Sequence, residues 1–186
     1  CVAMVVVNEY RQRHRHGTIS VTEHEQVETA TVEAEGAPKF RSNVGIMIVN
    51  RAGRILAGDA FHYPGEWMMP QGGIDAAESA EQAMRRELFE ETGLHFDQLR
   101  LICEHDDWLQ YLFRKPQYKD NVFYVGQRQK WFLLEYNGPL PDPETVHEQE
   151  FSCFGWVEPE WLVAQIPPFK KEVYRTVVAA FRPHFP

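Results

Sequence analysis

Three glutamates, Glu87, Glu90 and Glu91, are spaced so that a helix through them would gather their side chains within an arc of roughly 100°. Carboxylates crowded on one face repel one another, and they lose hydration if that face turns inward, unless a cation neutralises them. Hard divalent ions prefer oxygen ligands, so Mg²⁺ or Mn²⁺ is the cofactor these side chains imply. A lone E-x-x-E-E is usually a solvated acidic helix. Here it arrives with a glycine pair, Gly72 and Gly73, with Glu78, and with Arg86, all within one short run. Arg86 is expected to pair with a carboxylate of the cluster and to fix its geometry rather than touch a substrate.

The cluster needs a helix, and the sequence predicts one from Glu78 to Glu91, with Gly72-Gly73 as the tight loop before it and Thr92-Gly93 as its left-handed stop. Ala80, Ala83 and Met84 form the stripe expected to face the protein, while Glu81, Gln82 and Arg85 look outward. Before the helix, residues 44–49 and 54–57 read as two strands around the turn Asn50-Arg51-Ala52-Gly53. After it, strands are expected near 99–105, 108–113 and 130–136. The end reads as a short helix over 161–165 and a longer one over 171–181, with Val173, Val177 and Ala180 on its inner face.

The first residues differ in character. An apolar start is followed by a basic loop and then by TISVTEHEQVETATVEAE, whose alternation reads as exposed strands or a hairpin. Gly36-Ala37-Pro38 looks like a joint. The domain expectation is therefore an extended or hairpin, β-rich arm over 1–38 and a catalytic domain over 39–186. No repeat and no low-complexity segment is visible.

At 186 residues with 44% hydrophobic content, the chain can bury one good core. No run approaches the roughly 18 to 20 apolar residues of a membrane span, so neither a membrane partner nor insolubility is expected. A formal net charge of −8 argues against a sequence-indifferent binder of DNA or RNA. It suits a small polyphosphate, or only the 5′ end of an RNA, held by metal and a few placed cations. Cys1, Cys103 and Cys153 offer no paired framework, which favours a reducing compartment, and Cys103 and Cys153 are expected as core thiols. His14 and His16 read as part of a solvated basic loop. The chain opens at Cys1 without a signal-peptide pattern, and an intracellular site, cytoplasmic or in the mitochondrial matrix, is expected.

Read from Gly72, the run fills every fixed position of G-x5-E-x7-R-E-U-x-E-E-x-G-U, where U is bulky and apolar: Gly72, Glu78, Arg86, Glu87, Leu88, Glu90, Glu91, Gly93 and Leu94. The chain thus resembles the Nudix hydrolases. That resemblance implies an α/β/α sandwich around a mixed sheet and metal-assisted water attack within a polyphosphate. By the same resemblance, Glu87, Glu90, Glu91 and a main-chain carbonyl near Gly72 ligate metal. FRSNVGIMIVN, W-x-x-PQGGID, WLQY, GQRQKWFLL, EFSCFGWV and FKKEVY narrow the likeness to the branch of RNA pyrophosphohydrolases and plant-type dinucleoside polyphosphate hydrolases.

Within that branch, Glu150 is implied as a fourth carboxylate, ligating metal or acting on the water, in competition with Glu144 and Glu148 of the same loop. Arg41, Lys130 and Lys170 become candidates for phosphate contact. Tyr111 and Phe169 become candidates to flank a base. The competing reading keeps Tyr111 and Phe169 in the core and leaves Lys170 and Lys171 solvating a helix start. One departure stands out: AGDAFHYPGE, between Leu56 and Trp67, holds no cation where the branch carries an arginine that reaches phosphate, and Arg51 and Arg54 do not obviously replace it.

The branch includes mitochondrial mRNA-end-processing subunits of trypanosomatids that work with a helical-repeat RNA-binding protein. The resemblance therefore extends to an RNA-binding protein partner. The alternative class is a weakly active or inactive module that binds nucleotide or RNA 5′ ends within a processing complex. The complete carboxylate cluster argues against it.

Overall fold

The computed structural model describes residues 39–119, 121–146 and 149–186. The expected N-terminal arm lies outside the described residues, as does Glu148. Eight strands, β1 (Lys39–Val49), β2 (Ile55–Ala60), β3 (Trp67–Met68), β4 (Gln71–Gly73), β5 (Arg100–Glu104), β6 (Leu109–Lys119), β7 (Val122–Glu135) and β8 (Phe151–Val157), form one sheet. Three helices, α1 (Ala80–Thr92), α2 (Pro159–Gln165) and α3 (Pro168–Phe181), cover it.

At the centre, β1 runs parallel to β7 from Lys39 to Val49, while the other pairings are antiparallel. The C-terminal halves of the two central strands, residues 44–49 of β1 and 131–134 of β7, read as continuous apolar runs because both of their faces are covered. Alternation then sorts their side chains into two cores. Val44, Ile46 and Ile48 of β1 join Phe132 and Leu134 of β7 against Ala83, Met84 and Leu88 of α1. Met47 and Val49 join Trp131 and Leu133 against Leu162 of α2 and Val173, Tyr174, Val177, Val178 and Phe181 of α3. The result is the expected α/β/α sandwich with a mixed sheet.

Several local expectations need correction. α1 begins at Ala80, not Glu78, because Ser79 caps it: Gln82 N–H donates to Ser79 Oγ at 3.2 Å, and Ser79 N–H donates back to Gln82 Oε1 at 2.8 Å. Its stop is as expected, with Gly93 at φ 70° donating its N–H to the Phe89 carbonyl. β6 and β7 are far longer than the expected stretches 108–113 and 130–136. β3, β4 and β8 were not expected as strands. Tyr174, Val178 and Phe181, not Ala180, share the inner face of α3 with Val173 and Val177, and Ala180 is exposed. Cys103 is half-buried and packs against the core as expected, whereas Cys153 is exposed on β8 and is not a core thiol.

Candidate active site

The carboxylate cluster sits where the end of α1 meets the β4 loop. β4 pairs with β1, Gly72 opposite Val44, which brings the glycine pair beside the helix. A Cβ on Gly72 would lie 1.7 Å from the Glu87 carboxyl carbon, so only a bare backbone lets that carboxylate come so close. At Gly73 a Cβ would lie 2.0 Å from Nη2 of Arg41. The two glycines therefore admit an acid and a base to adjacent stretches of backbone.

Arg86 organises the cluster. Its Nε and Nη2 donate to the two oxygens of Glu78 at 3.0 and 2.9 Å, Nη1 donates to Glu87 Oε1 at 2.7 Å and to Glu90 Oε2 at 2.8 Å, and Nη2 also reaches the Gly73 carbonyl at 2.8 Å. One planar guanidinium thus ties helix, preceding loop and glycine pair together, as the sequence reading expected of it. The Arg86 hydrogen bonds hold the Glu78 carboxyl below its ordinary range. The Arg86 guanidinium is in turn driven further above its own, first by Glu78.

Glu91 turns inward and is buried, accepting a hydrogen bond from Gln71 N–H at 2.9 Å. Burial pushes its carboxyl well above the usual range, and the nearby charges of Glu87 and Glu150 add to that push. Burial likewise raises Glu87, against the pull of Arg86. Among the described residues no three acidic, histidine or cysteine side chains are already arranged to hold an ion. The hydrogen bonds above account for it, since Arg86 engages Glu87 and Glu90 while Glu91 faces Gln71. The donor set still fits a hard divalent cation: all oxygen, mutually repelling, and carrying a buried carboxyl whose ionisation Lys170 offsets only in part.

These groups line a cavity of about 600 Å³, a size that suits a small polyphosphate ligand. Arg41, Lys170, Lys119 and Glu150 line it together with Gly72, Arg86, Glu87, Glu90 and Glu91. Glu150 is among the lining residues and its backbone carbonyl accepts from Phe61 N–H at 2.8 Å, while Glu144 sits exposed in a separate 3₁₀ turn and is not among them. Burial lowers the Lys170 ammonium to about 8, against the opposing pull of Glu66 and Glu91.

Three expected substrate contacts are not among the cavity-lining residues. Lys130 donates to the carbonyls of His105 and Asp106 and lies 3.2 Å from Glu104, so it braces that loop and is not among the cavity-lining residues. Strand alternation explains this, since Gln127 lines the cavity and a residue three further along points to the opposite face. Tyr111 is a core residue, donating its hydroxyl to Gln127 and packed against Phe113 and Phe169. Its ring lies 5.4 Å from Nζ of Lys170, so it supports that lysine from beneath. Phe169 is half-buried beside it, also outside the lining. Arg54 and Arg51 are engaged with Glu158 and with Asn137 and Glu135, as their distance from the cluster in sequence suggested. The sequence reading missed His62 and Tyr63, which occupy the cation-free loop and line the cavity, and Lys119, at the far end of β6.

The family model described as NUDIX domain matches residues 39–177. The RNA pyrophosphohydrolase of Cereibacter sphaeroides is 44% identical over 156 residues, covering 80% of this chain and 94% of that protein. Among solved structures, the E. coli dihydroneopterin triphosphate pyrophosphohydrolase superposes with a TM-score of 0.59 at 19% identity, covering 76% of this chain and 98% of that one. An Ap4A hydrolase of C. elegans gives 0.56 at 23%, covering 77% and 98%; at such identities the two attest the fold. The family match and the RNA pyrophosphohydrolase relatives over most of the chain make this protein a hydrolase of phosphoanhydride bonds. The chain belongs to the Nudix family. Hydrolases of that family generally need divalent metal ions. Among the described residues no helix is long and apolar enough to cross a membrane.

Proposed function

We propose that this chain removes phosphate from the 5′ polyphosphate end of RNA, with Mg²⁺ or Mn²⁺ held by Glu87, Glu90, Glu91, Glu150 and a carbonyl near Gly72. The observation that carries the reading is one cavity lined by both charges. Acids from α1 and the loop before β8 share it with Arg41 and Lys170, which stand close enough to be felt at Glu87 and Glu91 respectively. When bound, the divalent ions supply charge neutralisation at the phosphate oxygens and a more acidic water.

The chain's own residues do the rest. Arg86 keeps Glu87 and Glu90 oriented without meeting substrate. Glu150, exposed at the cavity wall, takes the proton from the attacking water or orients it. Arg41 and Lys170 grip the non-reacting phosphates, and Tyr111 keeps Lys170 in place. The identity to RNA pyrophosphohydrolases over most of the chain supports RNA as substrate class. Dinucleoside polyphosphates present the same polyphosphate on a nucleoside and are the second substrate to assay.

The test compares wild type and Glu90→Gln, with either metal, on 5′-triphosphate RNA and on diadenosine tetraphosphate at equal concentrations. Faster metal-dependent release from RNA supports the reading, and faster turnover of the dinucleotide replaces it with a nucleotide-pool enzyme. Turnover of neither beyond the mutant's rate makes the chain a binding module.

A further inference from the structure

The β6–β7 hairpin carries a feature that cleavage of a phosphoanhydride does not require. Arg114, Lys115 and Lys119 lie within one short stretch of β6, all exposed, in a chain whose net charge is −8. Lys119 lines the cavity, whereas Arg114 and Lys115 are not among its lining residues. Arg114 sits 5.1 Å from the ring of Phe169, the residue before Lys170, so the line of cations stays close to the mouth of the site. Next to Lys119 but on the other face of the strand, Tyr118 is 64% exposed, backed by its ladder partner Phe123 at a ring distance of 4.9 Å, so ring and cavity lysine sit on the two sides of this edge. Pro116 removes a backbone donor, and the pairing register with β7 shifts between Leu112 and Gln117, which draws this stretch out of regular pairing.

Cations on an edge strand commonly serve to prevent edge-to-edge pairing. That purpose accounts for Lys115 and Pro116. It does not account for a lysine that lines the phosphate cavity, or for a large exposed ring. Cations flanking an exposed aromatic face are what a protein uses to track single-stranded nucleic acid, since phosphates take the charge and any base can stack. At about 3.4 Å per residue, Arg114 to Lys119 spans about 17 Å, enough to follow a strand for more than one nucleotide along the mouth of the cavity.

We propose that this hairpin is the docking track for the single-stranded RNA that follows the reacting 5′ end. The proposal rests on the RNA reading above and deepens it: the cavity holds the polyphosphate, and the hairpin measures whether a strand is attached. Length preference then resides in β6 and not in the carboxylate cluster.

The test is binding, which does not depend on turnover. Fluorescence anisotropy compares a 5′-triphosphorylated 12-mer with a 5′-triphosphorylated dinucleotide, for wild type and for Arg114→Gln/Lys115→Gln, across a salt series, with circular dichroism as a fold control. With Arg41 and Lys170 on the polyphosphate and three cations on the track, the 12-mer should lose about 100-fold in affinity between 50 and 200 mM salt, and the double variant should flatten the log–log slope by about 1.4. Dinucleotide binding should be the same in both proteins. Tyr118→Ala should weaken only the 12-mer. Equal wild-type affinity for the two RNAs, or a double variant whose salt slope matches wild type, overturns the track. Length-dependent binding without any RNA cleavage would instead overturn the substrate reading and leave the track standing.

Discussion

α1 and α3 pack on opposite faces of the same sheet, and they are held there by different forces. α3 buries Val173, Tyr174, Val177, Val178 and Phe181, a full apolar face. α1 buries Ala83, Met84 and Leu88 but gives its last turn to Glu91 and Thr92. The hydrophobic effect fixes α3 with little help. α1 has less apolar area to offer, and Arg86 and Glu91 tie it through polar bonds to the β4 loop. One helix is built for stability with a single cavity-lining residue, Lys170, at its first turn. The other surrenders part of its packing so that its three acids, Glu87, Glu90 and Glu91, can share a cavity.

Substitutions should separate the two helices. The largest effect belongs to α1: Glu90→Gln, or Glu87→Gln, should lower kcat by about 10²–10⁴-fold while leaving the melting temperature of the metal-free protein unreduced, measured by phosphate release and calorimetry. On α3, Phe181→Ala should do the reverse, destabilising the protein by about 3–5 kcal/mol with kcat of the folded fraction unchanged. A parallel loss of kcat per folded molecule would show that the faces are not independent.

Arg86→Lys should fall between, because an ammonium cannot reproduce the fork that spans Glu78, Glu87, Glu90 and the Gly73 carbonyl. The side chain is partly exposed, so the stability loss should be about 2 kcal/mol, accompanied by a fall in kcat. If lysine restores full activity, Arg86 contributes only charge.

Glu91→Gln should raise the melting temperature of the metal-free protein at neutral pH by at least about 2 °C while reducing activity. Its folded pKa lies above the unfolded one, so the folded state binds more protons than the unfolded state from the ordinary carboxylate range upward, and stability falls with pH across that window. Glutamine removes that cost and can still accept from Gln71 N–H. A lower melting temperature would show that the buried carboxylate is already compensated.

The smallest effect is a pH limb. With the Lys170 pKa lowered to about 8, KM for a polyphosphate substrate should rise as pH passes through 8, and Lys170→Arg should remove that limb. The linkage has the opposite sign in stability: between about 8 and the ordinary lysine value the unfolded chain holds a proton that the folded chain has released, so stability increases with pH there. An unchanged profile in Lys170→Arg would place the titrating group elsewhere.

What could be read from sequence was what depends on short range. The helix of the cluster, its glycine stop and the inward stripe all arise within a few turns of chain. Glu78 was misplaced inside the helix because the Ser79–Gln82 cap competes with a helical pattern that extends through both. The early half of β7 escaped notice because Gln127 and Gln129 interrupt its apolar run. They are buried polar residues serving the site, Gln129 donating to Asn43 and Gln71. Lys119, His62 and Tyr63 reach the cavity only through tertiary folding, and no local pattern announces them. Lys130 illustrates the converse: a cation in a matching stretch, turned away by the alternation of its strand.

The parallel pairing of β1 with β7 sets a schedule for the ribosome. Lys39 pairs with Tyr124 and Val49 with Glu135. The first central strand therefore emerges from the exit tunnel well before its neighbour exists. At about 5–20 residues per second, an interval of about 4–17 s separates the two. Throughout it, the apolar run from Val44 to Val49 has no parallel neighbour beside it. That run is the kind of exposed apolar segment a chaperone at the tunnel mouth would cover, and slower translation between β1 and β7 lengthens its exposure.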